Sequence, residues 1–278
     1  MQDDEPKGDD MTGDAGEMGA MTGGRLQEVA ERFRADRRRC GPRIADRRWL
    51  EEPLRQWAYA LECPDDGSAE DDVHMPDDAC APDDGDAGGR GRARFDDAGS
   101  VTPPEPGCPA CGAMPLDDDA VAMLAVAMRE SLPVRDCLIV SMIAHEPCTL
   151  PMLLDMASRP NERVVRDLMT GLLTDSFECE EHMPDTVRCS RGTAMLDAIA
   201  AMVPSPWRVQ PYAAMSYLLW WMGDARAAAY AIDCLTMDEG CSLAGMVLSL
   251  LAKGLSPAWR MRRGCMATAA APVGEWRE

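Results

Sequence analysis

The sharpest chemical signal in this chain is the run Cys108-Pro109-Ala110-Cys111-Gly112. Two thiolates separated by two residues and turned by a glycine form one knuckle of a zinc ribbon. Tetrahedral zinc takes four ligands, and the second CxxC of a ribbon is missing. Cys63, His74 and Cys80 are the nearest further ligands in sequence. Cys63, Cys80, Cys108 and Cys111 would complete a four-thiolate set across the intervening segment. Free thiols and a redox pair are the competing readings. A redox CxxC opens a helix after a strand, a context absent here.

The remaining candidates are weaker. His145 falls near the end of an apolar helical run, where an imidazolium is favoured by the helix dipole. His182 closes the acidic run Glu178-Cys179-Glu180-Glu181-His182, which reads as a solvated loop before it reads as a metal site. His74 lies in an acidic linker. Arg135 and Asp136 are sequence neighbours at a helix start. Asp136 is placed to compensate the dipole, and Arg135 to pair with another helix. Cys137, Cys234 and Cys241 sit in or beside apolar runs and read as small core residues. No GxSxG, GxGxxG, GxxxxGK(S/T), HExxH or EF-hand loop is present. No catalytic or cofactor-binding residue is therefore assigned.

The elements that must position these residues are helical. Apolar residues recur at spacings of three and four in 25–39, where Leu26, Val29, Ala30 and Phe33 mark the stripe. A second helix runs over about 42–63, with Pro53 expected to kink or restart it. This Arg-rich pair cannot bury its stripes alone and must dock elsewhere. Asp117, Asp118 and Asp119 cap a helix that runs to Glu130, and Pro133 opens the next. Further helices are expected at 149–158, 161–174, 191–203, 210–222, 225–237 and 241–253. Gly223-Asp224 and Asp238-Glu239-Gly240 break the last three, so 212–255 reads as antiparallel helices with tight turns. No alternating β pattern of useful length follows residue 108. The fold class is all-α, a stack of helical hairpins with a tetratricopeptide-like hairpin near the C-terminus. A repeat array would need a 34-residue period at least three times, and that period is missing.

Composition sets the broad class. The net charge is −20, aromatics make up 5% of the chain, and methionine occurs 21 times. Methionine serves as irregular core filler, with a Met-rich binding groove as the alternative. The acidity is concentrated. Residues 1–24 carry seven acids against one base, and residues 64–107 thirteen against three. Both segments lack apolar periodicity and read as a disordered tail and a disordered linker. They flank a helical pair at 25–63 and precede a helical core at 108–278. Acidic tracts repel nucleic acid and anionic lipid. Seven arginines at positions 32, 34, 37, 38, 39, 47 and 48 could meet an anionic partner, and this protein's own acidic tail is the preferred one. The Gly/Arg run 88–95 is neutralised within its linker. Twelve cysteines scattered through a chain without an N-terminal signal peptide point to reduced thiols and a cytoplasmic location.

Two stretches carry a family resemblance. They are LDDDAVAMLAVAMRESLPVRDCLI at 116–139 and YLLWWMGDARAAAYAIDCLTMDEGCSLAGMVLSLLAKGLSPAWR at 217–260. Val134-Arg135-Asp136, Trp220 to Ala228, and Ser242-Leu243-Ala244 to Pro257 resemble the C-terminal half of the actinobacterial domain-of-unknown-function family 4192. The resemblance covers roughly half of the chain and implies the helical fold. It implies no activity. Members carry an N-terminal α/β region with an apolar β run, which residues 1–107 lack, so the chain resembles a shortened or divergent member.

These observations lead to one expectation: a non-enzymatic, cytosolic helical scaffold that binds a protein partner. Neither nucleic acid nor membrane is expected as partner. The alternative is a zinc-stabilised regulatory or nucleic-acid-associated protein built on Cys108 and Cys111. The scaffold reading carries no resident cofactor. It expects zinc well below stoichiometry in protein purified without a metal-affinity tag. Stoichiometric zinc that is lost on Cys108→Ser would establish the alternative.

Overall fold

The computed structural model describes residues 21–62 and 116–260. Cys63, His74, Cys80, Cys108 and Cys111 lie outside the described residues, as do nearly all of both acidic tracts. Ten helices account for most of what is described: α1 (Gly23–Cys40), α2 (Pro42–Glu62), α3 (Asp118–Glu130), α4 (Leu132–Ile143), α5 (Leu150–Ser158), α6 (Arg163–Glu178), α7 (Thr186–Met202), α8 (Ser205–Met222), α9 (Ala227–Met237) and α10 (Ser242–Ala252). A further helical turn begins at Ala258. Among the described residues there is no strand. The fold is all-α.

The first helix starts at Gly23, earlier than its apolar stripe suggests. Thr22 explains the start, because its Oγ1 accepts the Arg25 N–H at 3.3 Å and satisfies one free amide of the first turn. Met21 is buried, and its N–H donates to Met202 O at 2.8 Å. Asp117 caps α3 in the same way, accepting from Ala120 N at 2.7 Å. Pro53 does not restart α2. The helix runs through it, giving up only the main-chain bond that a residue-53 amide would make.

Helices α3 and α4 form the centre. They are apolar almost all round, the signature of a helix with protein on every side. Buried residues include Val121, Leu124 and Met128 on α3, and Val134, Leu138 and Met142 on α4. Helix α8 packs on both and on α7, α9 and α10. The Arg-rich pair α1–α2 finds its docking surface on α3, α5 and α7, within one compact unit. Trp57 of α2 is fully buried there and donates from Nε1 to Ser141 Oγ on α4 at 3.0 Å.

The chain reverses after α8 at Gly223, which has φ +83°. Gly223 N donates to Trp220 O at 3.0 Å, and Asp224 N donates to Leu219 O at 2.8 Å. This pairing is a Schellman cap, which requires a left-handed residue at its centre. A Cβ at position 223 would also lie 2.5 Å from the Arg260 guanidinium carbon. The two tryptophans before it diverge by about 100° around the axis, and both are buried. Trp220 donates to Leu255 O at 3.1 Å, and Trp221 donates to Ser176 O at 3.0 Å.

The arginines of α1 and α2 pair inside the fold. Arg34 binds Glu130 bidentately, at 2.7 and 2.6 Å. Arg25 reaches Asp119, Arg43 reaches Glu162 and Arg47 reaches Asp155. Arg39 and Arg48 share Asp36, and Arg32 lies over the Trp49 ring. These carboxylates come from the folded core; the acidic tail, the partner expected from the sequence, lies almost wholly outside the described residues. Arg37 and Asp46 lock α1 to α2, with Nε and Oδ1 2.9 Å apart but too poorly aligned for a hydrogen bond.

Burial pushes the Asp46 carboxyl up to about 6 against the pull of Arg37. A free aspartate titrates near ~3.9. The folded state thus holds its proton more tightly than the unfolded chain. This contribution is fully present below ~3.9 and lost as pH rises through the folded value, about 3 kcal/mol in all. Urea unfolding should show a wild-type stability, relative to Asp46→Asn, that is higher at pH 4.5 than at pH 7.5. A pH-independent difference would exclude this account.

Candidate functional site: a groove floored by Arg135

Helix α4 begins at Leu132 with Pro133 in its first turn. That start places Arg135 beneath α8 and α10. Its side chain is buried, and its planar guanidinium carries five N–H donors. Nε and Nη2 donate to Asp136 Oδ1 at 2.9 and 2.6 Å. Nη1 donates to Gln210 Oε1 on α8 at 2.9 Å. Arg135 was expected to pair across helices. It pairs first with its own neighbour, because its long side chain curls back where the adjacent carboxylate is half-exposed.

Above this pair lies a groove of about 450 Å³ between α4, α6, α8 and α10. Ile139, Leu173, Leu243 and Met246 supply its apolar walls. Arg135, Asp136, Tyr217 and Ser242 supply its polar groups. The size falls within the usual range of binding sites, and the composition is the usual one of apolar walls with few convergent polar groups. Burial, with help from the Asp136 charge, pushes the Tyr217 hydroxyl up to about 12. It therefore stays a neutral donor, and it has no hydrogen-bond partner among the described residues. Ser242 and Leu243 form the first turn of α10, whose free amides add positive potential. The lining holds no nucleophile paired with a base.

A larger depression of about 640 Å³ runs along the outer face of α6, past Asp167, Thr174 and Glu178. One helix lines it and solvent fills it, so no groups converge there. Among the described residues no group of three His, Cys, Asp or Glu side chains could hold a metal ion.

His145 directly follows the C-terminal end of α4, where the sequence placed it, and is exposed. His182, expected in a solvated loop, is 2% exposed and reaches the end of α4 from the α6–α7 connection. Its Nε2 donates to Ile143 O at 2.7 Å, and its Nδ1 faces Asp175 Oδ2 at 2.9 Å. Its ring lies edge-on to Trp221 at 5.8 Å. Buried Arg188 joins it, donating to Met142 O at 3.3 Å and to Ala144 O. Asp185 caps α7 by accepting from Arg188 N at 2.9 Å, which orients that side chain. The acids Glu180, Glu181 and Asp185 stay exposed as expected, and His182 alone turns inward, because the last carbonyls of a buried helix need donors.

Cys137, Cys234 and Cys241 are buried, as their surroundings predict. The sequence did not signal that Cys241 is the N-cap of α10. Tyr217, Ser242, Leu173 and Met246 carried no local signal of a site. Only the abundance of methionine hinted at a groove.

Comparison of the chain with protein-family models, with curated proteins and with solved structures gave no match. No helix among the described residues is long and apolar enough to cross a membrane.

Replacing Arg188 by Met keeps the aliphatic volume but strips the α4 carbonyls of their cationic donor. Urea unfolding should show a loss of about 3 kcal/mol. A loss near zero would mean that those carbonyls reach water.

Proposed function

We propose that this protein is a non-catalytic helical scaffold that binds a protein partner through the groove between α4, α6, α8 and α10. The observation that carries this reading is the apolar stripe of α10. Leu243, inside the groove, is followed by Met246 and Leu250 at helical spacing, and Met246 is 43% exposed. Leu243 to Leu250 spans about 10 Å along the axis. A stripe that leaves the cavity and continues over the surface suits an apolar anchor with adjoining peptide better than an enclosed small molecule. Methionine at the rim adapts to the anchor's shape. Half-buried Leu173 on α6 forms the opposite wall. The net charge of −20 favours a basic partner and disfavours nucleic acid. The arginines of α1 and α2 support this, since folded carboxylates already neutralise most of them.

The stack of helical hairpins and the likeness to the actinobacterial family belong to the same reading. Both describe a scaffold of small packing residues rather than a reaction centre. The zinc-stabilised alternative rests on Cys63, Cys80, Cys108 and Cys111 in sequence alone.

A photo-crosslinking residue at position 246, read by mass spectrometry in cells, tests the groove. Position 59, where Tyr59 is 70% exposed on α2, serves as control. A discrete adduct is expected from position 246 alone, and Leu173→Glu should abolish it. Identical diffuse adducts from both positions would sink the reading.

A further inference from the structure

We propose that the groove takes an arginine side chain of the protein partner, with its aliphatic stem against Leu173 and Met246 and its guanidinium on Asp136 and Tyr217. The proposal rests on the groove being the binding site and names the chemistry of the anchor.

Asp136 and Ile139 are three residues apart on α4, so they share the helix face that borders the groove. Arg135 and Asp136 carry opposite charges, but an incoming group does not meet them equally. The Arg135 side chain is 7% exposed and that of Asp136 40%. Arg135 Nε and Nη2 both donate to Asp136 Oδ1. Oδ2 has no donor among the described residues. The pair is thus a dipole with its negative end accessible. A cation bonded to Oδ2 would lie roughly twice as far from the Arg135 guanidinium as from the carboxylate, so attraction outweighs repulsion about twofold. An anion there would face the reverse.

Tyr217 supports the same sign. Its hydroxyl is raised to about 12, first by burial and then by the charge of Asp136, so that negative charge is felt inside the groove. A neutral hydroxyl accepts as well as donates. It can take a second N–H of a guanidinium whose first N–H goes to Oδ2. Guanidinium presents several donors in one plane and is more weakly hydrated than ammonium, which suits a half-buried site. Arginine also lays its methylenes along apolar walls such as Leu173 and Met246 while its head stays polar. The net charge of −20 draws a basic segment in. The free amides at the start of α10 favour an anion instead, and the experiment separates the two signs.

n-Butylguanidinium reproduces an arginine side chain from Cα outward. n-Butylurea has the same shape without the charge, and hexanoate carries the opposite charge. Each is titrated at constant ionic strength into the full chain labelled at its methionine methyls, with the Met246 resonance assigned through Met246→Leu. n-Butylguanidinium should shift that resonance saturably, with an affinity at least about tenfold above that of n-butylurea or hexanoate. Asp136→Asn keeps an amide oxygen for Arg135 but removes the charge, and should abolish the preference. Tyr217→Phe should weaken n-butylguanidinium severalfold. Thermal melts verify that both variants are folded, and if either is not, the wild-type comparison decides alone. Equal affinities for n-butylguanidinium and n-butylurea would overturn the proposal and leave the groove an apolar site. Preference for hexanoate would overturn it in favour of the α10 amides. A Met246 resonance that moves with protein concentration and not with the probes would assign the groove to a second copy and overturn it. A resonance unmoved by any of these would remove the groove reading as well.

Discussion

The fold depends on one constraint: a helix surrounded by protein cannot leave its last carbonyls to water. Helix α4 is apolar on nearly every face, so its C-terminus is as dry as its middle. An unsatisfied buried carbonyl costs about 1–3 kcal/mol, and α4 has several. His182 and Arg188 answer them from the far side of the α6–α7 connection. This demand draws one side chain, His182, inward from a loop whose acids Glu180, Glu181 and Asp185 stay exposed. It also fixes the end of α6 and the start of α7, and it seats Trp221 against Ser176 and the His182 ring.

The groove follows from that placement. Helix α6 lies lightly on the core, and among its residues only Val165 near its start and Ser176 near its end are buried. Leu173 is left half-covered, and the space beside it is bounded by α8 and α10. Arg135 keeps the floor polar. Its charge is tolerable there because three donor bonds and one carboxylate answer it. A buried arginine without such partners would be strongly destabilising.

The N-terminal pair shows how charge can be structural. Exposed ion pairs contribute little singly. Here they connect α1 and α2 to α3 and α5 through several carboxylates, with the buried contacts of Phe33, Leu50 and Trp57 beneath them. The arginines look in sequence like a basic patch for an outside partner. In three dimensions they orient two amphipathic helices on the core.

Much of the architecture was legible in the chain. The three-and-four spacing of apolar residues, the caps at Asp117 and Pro133, and the break at Gly223 are local properties, since they depend on neighbours within one helical turn. All ten helices could be placed from them, with ends shifted where Thr22 or Asp185 supplied a cap, and also where α8 begins at Ser205 and α6 runs on to Glu178 without one. The groove and the α4 cap could not be read this way. They join residues far apart in sequence, such as Ile143 with His182, Arg135 with Gln210, and Leu173 with Met246. A helix pattern says which face is apolar, but not which other face it meets. The sequence by itself therefore determined the helices and their buried faces. Only the tertiary structure decided that a loop histidine would cap a core helix and that an N-terminal arginine of α4 would floor a cavity, because each needs a partner that packing alone brings within reach.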